Sequence, residues 1–115
     1  MGAGKAKGTR WETAVVNYLN SIGLKVYRPA QAGAKDTGDI HGLPDFAIQC
    51  KDWKSVTDAV RSGTDGAEEQ AKNLSVPFGI NIVKRARKPV DDAYVVIRLG
   101  TFVSLLRVAF PHYFN

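Results

Sequence analysis

Three polar residues with chemically useful side chains lie close together in residues 38–51, GDIHGLPDFAIQCK. The Gly-Leu-Pro segment predicts a tight connection between two extended segments, so Asp39 and Gln49 come from neighbouring antiparallel strands. Lys51 shares the face of Gln49 because strand side chains repeat every two residues. The stretch therefore predicts two oxygen ligands and one ammonium group on the same face of a sheet.

This combination suits metal-assisted hydrolysis of a phosphodiester. Oxygen atoms are the ligands of Mg²⁺, which usually takes one or two protein carboxylates. Such a metal polarises the phosphate and lowers the pKa of a bound water, while a lysine orients that water or stabilises developing negative charge. The alternative is a surface hairpin with ordinary solvated side chains, because this spacing also recurs by chance. Asp45 lies in the connection and is interpreted as a turn residue.

The apolar periodicity of the chain predicts the elements that position these residues. Trp11, Val15 and Tyr18 belong to one apolar helix face, which Thr9 caps and Gly23 ends. The predicted elements are helix 9–22, strands 24–28, 39–42 and 45–51, helix 55–73, strands 78–85 and 93–99, and helix 101–110 with Thr101 as its cap. This αβββαββα order predicts an α/β fold with a mixed sheet flanked by helices.

Composition limits the class of protein. The 115 residues predict one domain, with residues 1–7 as a flexible basic arm and residues 8–115 as the folded unit. The single cysteine, Cys50, excludes an internal disulfide and a cysteine-based zinc site, which favours a cytoplasmic location. No apolar run is long enough to cross a bilayer and no signal peptide opens the chain, so no membrane partner is expected.

The charge of the chain points to a polyanionic partner. The formal net charge is +5, and nucleic acid is the first candidate for such a balance. Two cationic segments are expected to contact the DNA backbone: Lys84, Arg85, Arg87 and Lys88 in the connection before the last strand, and Lys5, Lys7 and Arg10 near the N-terminus. The alternative for the first segment is that cations near strand ends discourage edge-to-edge pairing.

The element order and two sequence segments together resemble a known family. GTRWETAVVNYLNSIGLKVYR and TGDIHGLPDFAIQCK, followed by a helix and two strands, resemble the PD-(D/E)xK nuclease superfamily, in particular the small archaeal- and phage-type Holliday junction resolvases. The resemblance covers roughly residues 8–99. It implies a restriction-endonuclease-like fold and a Mg²⁺-dependent, structure-selective DNA endonuclease, with Mn²⁺ as a substitute. It also implies a homodimer that resolves four-way junctions by paired symmetric nicks, in the bacterial host cytoplasm if a phage encodes it.

The resemblance assigns roles by position. Glu12 matches the glutamate on the first helix of the family, Asp39 matches the metal-binding aspartate, and Lys51 matches the catalytic lysine. The backbone carbonyl of Cys50 is implied as a further metal ligand. The Cys50 side chain itself is interpreted as a small core residue.

Gln49 departs from the family pattern, which usually has aspartate or glutamate there. A glutamine carbonyl can bind a cation but adds no negative charge, so weaker metal binding is expected. Recruitment of Glu12 or Asp36 would compensate. The alternative is that the chain has kept the fold and branched-DNA binding but lost catalysis.

Three further alternatives stay open. The apolar residues 102–114, FVSLLRVAFPHYF, are expected to form part of a dimer interface, or else to pack within one subunit. A nuclease of the same superfamily with a repair or restriction-like target is a further candidate function. A small structural protein with incidental basic charge is the last alternative.

Overall fold

A three-stranded mixed sheet forms the centre of the structure, a computed structural model that describes residues 3–30 and 36–115. The strands are β1 (Phe46–Lys51), β2 (Phe78–Val83) and β3 (Tyr94–Val96), in the order β1-β2-β3. β1 and β2 are parallel, and β2 and β3 are antiparallel. The predicted α/β class with a mixed sheet and flanking helices is confirmed.

Three helices accompany the sheet: α1 (Ala3–Ser21), α2 (Val56–Leu74) and α3 (Leu99–Ala109). α2 is the crossover that a parallel strand pair requires. It begins where the Ser55 hydroxyl accepts a hydrogen bond from the Asp58 amide, as the N-cap preference for serine predicts. No helix in the described part of the chain is both long and apolar enough to cross a bilayer.

The main core lies between α1 and one face of the sheet. Trp11 and Val15 on α1 pack into a buried cluster with Ile40, Ile48 and other apolar side chains. The Trp11 indole Nε1 donates a hydrogen bond to the Ile82 carbonyl at 3.1 Å, which fixes the ring against β2. Trp11 and Val15 of the predicted apolar stripe therefore face the core, whereas Tyr18, expected on the same face, is exposed.

α2 packs on the opposite face of the sheet through small residues. Ala59, Ala67 and Ala71 are buried there together with Gly63. A Cβ atom at Gly79 of β2 would clash with the Ala67 backbone carbonyl. The close approach of helix and strand therefore depends on glycine at position 79.

The two strands predicted at 24–28 and 39–42 are reduced to isolated bridges, Tyr27 with His41 and Ile40 with Ile48, both antiparallel. Tyr27 and His41 exchange both backbone hydrogen bonds, but the pairing does not continue, because Pro29 has no amide hydrogen to donate and Gly42 has a φ of +107°. The backbone groups of Val26 face the other way, since successive strand residues alternate in direction. There the Asn20 side chain accepts from the Val26 amide at 2.8 Å and donates to the Val26 carbonyl at 3.0 Å.

The predicted helix starts at residues 9 and 101 differ from the structure. α1 begins at Ala3, so residues 3–7 of the expected flexible arm are helical. The alanine and lysine residues of this segment favour a helix. α3 begins at Leu99 with Arg98 as its N-cap, and the Thr101 hydroxyl instead donates to Glu68 Oε2 at 2.9 Å. This hydrogen bond connects α3 to α2.

Candidate active site

Asp39 is held at the edge of the sheet beside β1. Its amide donates to the Ile48 carbonyl at 2.8 Å, and its carboxylate Oδ2 accepts from the Cys50 amide at 2.8 Å. A Cβ atom on the preceding residue, Gly38, would lie 2.9 Å from the Ile48 carbonyl oxygen, and the φ of Gly38 is +105°. Glycine at position 38 therefore lets the chain approach β1 closely enough for Asp39 to contact Cys50.

The environment of Asp39 favours its neutral form. The pKa of Asp39 is raised from 3.8 to about 6, mainly by burial, and the charges of Glu12 and Asp36 act in the same direction. The hydrogen bond from Cys50 and the charge of Lys51 oppose this rise in pKa. A partly buried carboxyl group between other acids is a setting in which a bound cation would restore the ionised form.

Gln49 faces α2, on the opposite side of β1 from the main core. Its side-chain Oε1 accepts a hydrogen bond from the side-chain amide Nε2 of Gln70, and the same Nε2 donates to Asp36 Oδ2 at 2.9 Å. Asp36 is fixed in turn, because its Oδ1 accepts from the Gly38 amide at 3.0 Å. These contacts bring Asp36, Gln49 and Gln70 into one polar network beside Asp39.

One acceptor of this network has no partner among the described residues. Gln70 is only 2% exposed, and its side-chain Oε1 is buried without a hydrogen bond there. The position that a Cβ of Gly38 would take lies 3.6 Å from this oxygen. Since buried acceptors are rarely left unsatisfied, this oxygen marks a place where a water or a ligand would be stabilised.

Lys51 lies at the end of the same face of β1. Its ammonium Nζ is 4.6 Å from the centre of the Trp53 ring, and Trp53 is 43% exposed. The charge of Lys51 also lowers the pKa of both Asp39 and Cys50. The ammonium group is therefore close enough to affect the site electrostatically. It also forms a cation–π contact with the solvent-exposed ring of Trp53.

Glu12 reaches the site from α1. Its Oε1 accepts from the Arg28 guanidinium Nε at 2.9 Å. Its charge raises the pKa of Asp39 and, after the effects of burial and of Asp39, that of the Cys50 thiol. Glu12 thus lies near the Asp39 carboxylate, with Arg28 as its ion-pair partner.

The donor set at this place suits a hard cation. Asp39 supplies a carboxylate, Gln49 an amide oxygen, and the Cys50 carbonyl points to the strand edge that carries Asp39, because its amide does so. Within residues 3–30 and 36–115, no three His, Cys, Asp or Glu side chains form a metal-binding group. A cation would therefore depend on amide, backbone or phosphate oxygens in addition to carboxylates.

The two predicted cationic segments meet beside α1. Four of their side chains line one cleft: Lys7, Arg10, Lys84 and Lys88. The other three do not line it: Lys5 is exposed on α1, Arg87 is exposed with a φ of +61°, and the Arg85 guanidinium lies 4.8 Å from the centre of the Tyr94 ring. The cationic surface is thus centred on the start of α1 and the end of β2.

Much of the apolar C-terminal segment is exposed. Only Thr101 is buried within α3. The large apolar side chains at the surface of this region are Leu99, Phe102, Val108, Phe110 and Tyr113. Packing within one subunit therefore leaves a substantial part of this surface uncovered.

From the sequence, Gln70 stayed open between a position near the site and a solvated helix surface, and Asp52 was not assigned to a functional surface. Gln70 is one of several polar residues on a helix that carries Glu68 and Glu69, and only the crossover geometry places it against Gln49. Asp52 follows Lys51 directly, and successive side chains of an extended chain point to opposite faces. This alternation was the signal that Asp52 faces away from Lys51. Glu68 accepts a hydrogen bond from the Thr101 hydroxyl and lies 3.4 Å from the Arg98 guanidinium.

Comparisons with family models, with curated proteins and with solved structures find no match to this chain. The function is therefore inferred from the residues of the chain and their arrangement.

Proposed function

We propose that the protein is a metal-dependent, structure-selective DNA endonuclease of the PD-(D/E)xK type, which resolves four-way junctions. The observation that carries this proposal is the position of Asp39. Its carboxylate accepts a hydrogen bond from the backbone amide of Cys50, the residue between Gln49 and Lys51 in β1. An acid, a carbonyl oxygen and an ammonium group around one strand suit phosphodiester hydrolysis.

The order of elements supports the restriction-endonuclease-like assignment. The antiparallel bridge of Ile40 with Ile48 brings one extended segment beside β1, and the bridge of Tyr27 with His41 brings a second segment beside the first. A helix precedes these segments, and a helix with a parallel strand follows them. The proposed fold is the αβββαββα order with its first two strands reduced to bridges.

The proposed roles follow from the contacts of each side chain. Asp39, the Gln49 oxygen and the Cys50 carbonyl would hold Mg²⁺ or Mn²⁺, with Glu12 as a further acid nearby. When bound, such an ion supplies a water of lowered pKa and neutralises charge on the phosphate. Lys51 stabilises negative charge on the phosphate or orients the attacking water. The exposed ring of Trp53 limits the positions that the Lys51 ammonium can take.

DNA contact and dimerisation complete the proposal. The cationic side chains beside α1 would bind backbone phosphates, which fix the orientation of DNA without reading its sequence. Two symmetric nicks require two active sites, and the exposed apolar surface of α3 and the segment after it would form part of a two-fold interface. The branched DNA and the second subunit are thus both proposed partners of the chain.

The test is a nicking assay with Mg²⁺ on a four-way junction, a flap and a linear duplex of equal length. The wild type is expected to nick the junction fastest, at symmetric positions. Asp39→Asn should lose at least about a hundredfold in rate, as expected when a metal ligand is removed. Asp65→Asn, at an exposed position of α2, is the matched control. Equal rates for wild type and Asp39→Asn would remove the proposal.

A second candidate function is branched-DNA binding without cleavage. The observation that favours it is the Gln49 oxygen, which already accepts a hydrogen bond from Gln70 at a position where a carboxylate is usual in the resembling family. Gln49→Glu discriminates between the two. A junction that wild type binds but does not nick, and that Gln49→Glu does nick, would indicate a binding protein.

A further inference from the structure

A cationic cleft lies between the first half of α1 and the segment after β2. Its volume is about 370 Å³, and four cationic side chains and one carboxylate, that of Asp52, line it. Trp11 forms an aromatic wall, and its indole is fixed by the hydrogen bond to Ile82. The Lys84 ammonium lies 6.0 Å from the centre of this ring. The cleft therefore has a net positive charge and at least one rigid side.

Asp52 bridges two of the cations. Its Oδ1 is 3.5 Å from the Lys7 ammonium, and its Oδ2 is 3.7 Å from the Lys84 ammonium. The Asp52 side chain is 10% exposed, whereas those of Lys7 and Lys84 are 40% and 39% exposed. One nearly buried carboxylate thus holds together two ammonium groups that remain open to solvent.

We propose that this cleft is a phosphate-binding site in which the Asp52 carboxylate occupies the phosphate position in the free protein. A phosphodiester group has two unesterified oxygens that share one negative charge, as a carboxylate does. It can therefore form the same two contacts with Lys7 and Lys84 when the Asp52 side chain turns away from them. Arg10 and Lys88, which line the same cleft, would add donors that Asp52 does not use.

The inference rests on the proposed DNA role and adds a second contact point to it. Lys51 and Asp52 are consecutive, and their contacts are with Trp53 on one side and with α1 on the other. The candidate active site and the cleft therefore lie on either side of the end of β1. DNA bound across this end would be held by phosphates at both places.

Asp52 competes with the phosphate, so its removal should strengthen binding. Fluorescence anisotropy of a 20-base-pair duplex, in low salt with EDTA so that cleavage plays no part, measures this effect. Asp52→Asn is expected to bind about fivefold more tightly than wild type, from the loss of two competing ion pairs. Asp65→Asn, with the same change of net charge at an exposed site of α2, should change affinity less than about twofold. A gain on duplexes with either 5′-hydroxyl or 5′-phosphate ends identifies a backbone phosphate, and a gain only with 5′-phosphate ends identifies a terminal one.

A second pair of variants keeps the test independent of the folding of Asp52→Asn. Lys7→Gln removes one side of the bridge and should weaken duplex binding about threefold to fivefold. Lys25→Gln, the same change at an exposed residue away from the cleft, should weaken it less than about twofold. Equal effects within each pair would overturn the cleft assignment. Because no step of this assay needs a metal, its failure differs from failure of the nicking assay.

Discussion

The side-chain oxygen of Gln49 accepts a hydrogen bond from the side-chain amide of Gln70, across the interface between β1 and α2. The same amide binds the Asp36 carboxylate, and the charge of Asp36 raises the pKa of Asp39. A carboxylate at position 49 would therefore be a third acid beside Asp36 and Asp39. Gln49 supplies an oxygen to the site without adding to this repulsion.

Replacing Gln49 by glutamate should exchange stability for metal affinity. In EDTA at pH 7.5 the variant is expected to lose about 1–3 kcal/mol of unfolding free energy, because its buried carboxylate lies among other acids. Its affinity for Mg²⁺ should rise at least about tenfold, since a charged ligand replaces a neutral one. Urea unfolding and isothermal titration calorimetry measure the two effects.

The control for this variant is Asn17→Asp, which adds the same charge at an exposed position of α1. It should leave Mg²⁺ affinity unchanged. If the metal affinity of Gln49→Glu does not exceed that of this control, position 49 is not part of a cation site.

Asp39 should make the metal-free protein less stable as pH rises. Its pKa is about 6 in the folded protein and 3.8 for an ordinary aspartate. The folded state thus holds the proton more tightly between these values. The free energy of unfolding should therefore fall as pH rises through this window, by about 3 kcal/mol in total.

Asp39→Asn removes this titration. The unfolding free energy of the variant minus that of wild type should therefore increase from pH 4 to pH 7 in EDTA. Urea unfolding at both pH values measures this difference. A difference in unfolding free energy that does not change with pH would show that the Asp39 pKa is not raised. With Mg²⁺ present, the wild-type nicking rate should rise through about pH 6, because the cation needs the ionised carboxylate.

Gln70 should contribute to both stability and cleavage. Gln70→Met keeps a similar volume but removes the donor shared by Gln49 and Asp36. It is expected to cost about 1–3 kcal/mol of unfolding free energy, because the buried Gln49 oxygen loses its partner. Nicking should slow as well, since the oxygen is no longer fixed. Glu69→Gln on the exposed face of α2 should change neither quantity measurably.

The close approach of α2 to β2 should make Gly79 irreplaceable. Gly79→Ala places a methyl group against the Ala67 carbonyl and is expected to cost about 3 kcal/mol. Gly66→Ala is the contrasting case, because the nearest atom to its Cβ would be the Gln70 side chain at 3.9 Å. That variant should gain about 1 kcal/mol from helix propensity. Thermal unfolding of both variants distinguishes these effects, and a Gly79→Ala protein as stable as Gly66→Ala would contradict the close packing.

The period of apolar residues was sufficient to predict the class of the fold but not its hydrogen bonds. The apolar face around Trp11 is a local pattern, and Trp11 and Val15 are found in the core. β1 is found where it was expected, but its four central residues are all buried, on both faces of the strand. The strand expected at 24–28 is reduced to one bridge, because Pro29 has no amide hydrogen to extend the pairing and the partner segment leaves the extended conformation at Gly42, with a φ of +107°. Gln70 lies 21 residues from Gln49, so its contact depends on how α2 crosses the sheet. The backbone conformation of a single residue and long-range contacts leave no periodic signal in sequence.

Asp39 and Gln49 are proposed to hold a divalent cation that serves phosphodiester hydrolysis. The decisive experiment is anomalous diffraction from crystals soaked in Mn²⁺ at pH 7.5, with Asp39→Asn crystals as control. An anomalous peak is expected within bonding distance of the Asp39 carboxylate and the Gln49 oxygen in wild type, and none in the variant. A fully soaked wild-type crystal with no peak at this place, or the same peak in both proteins, would show that these two residues do not hold the cation.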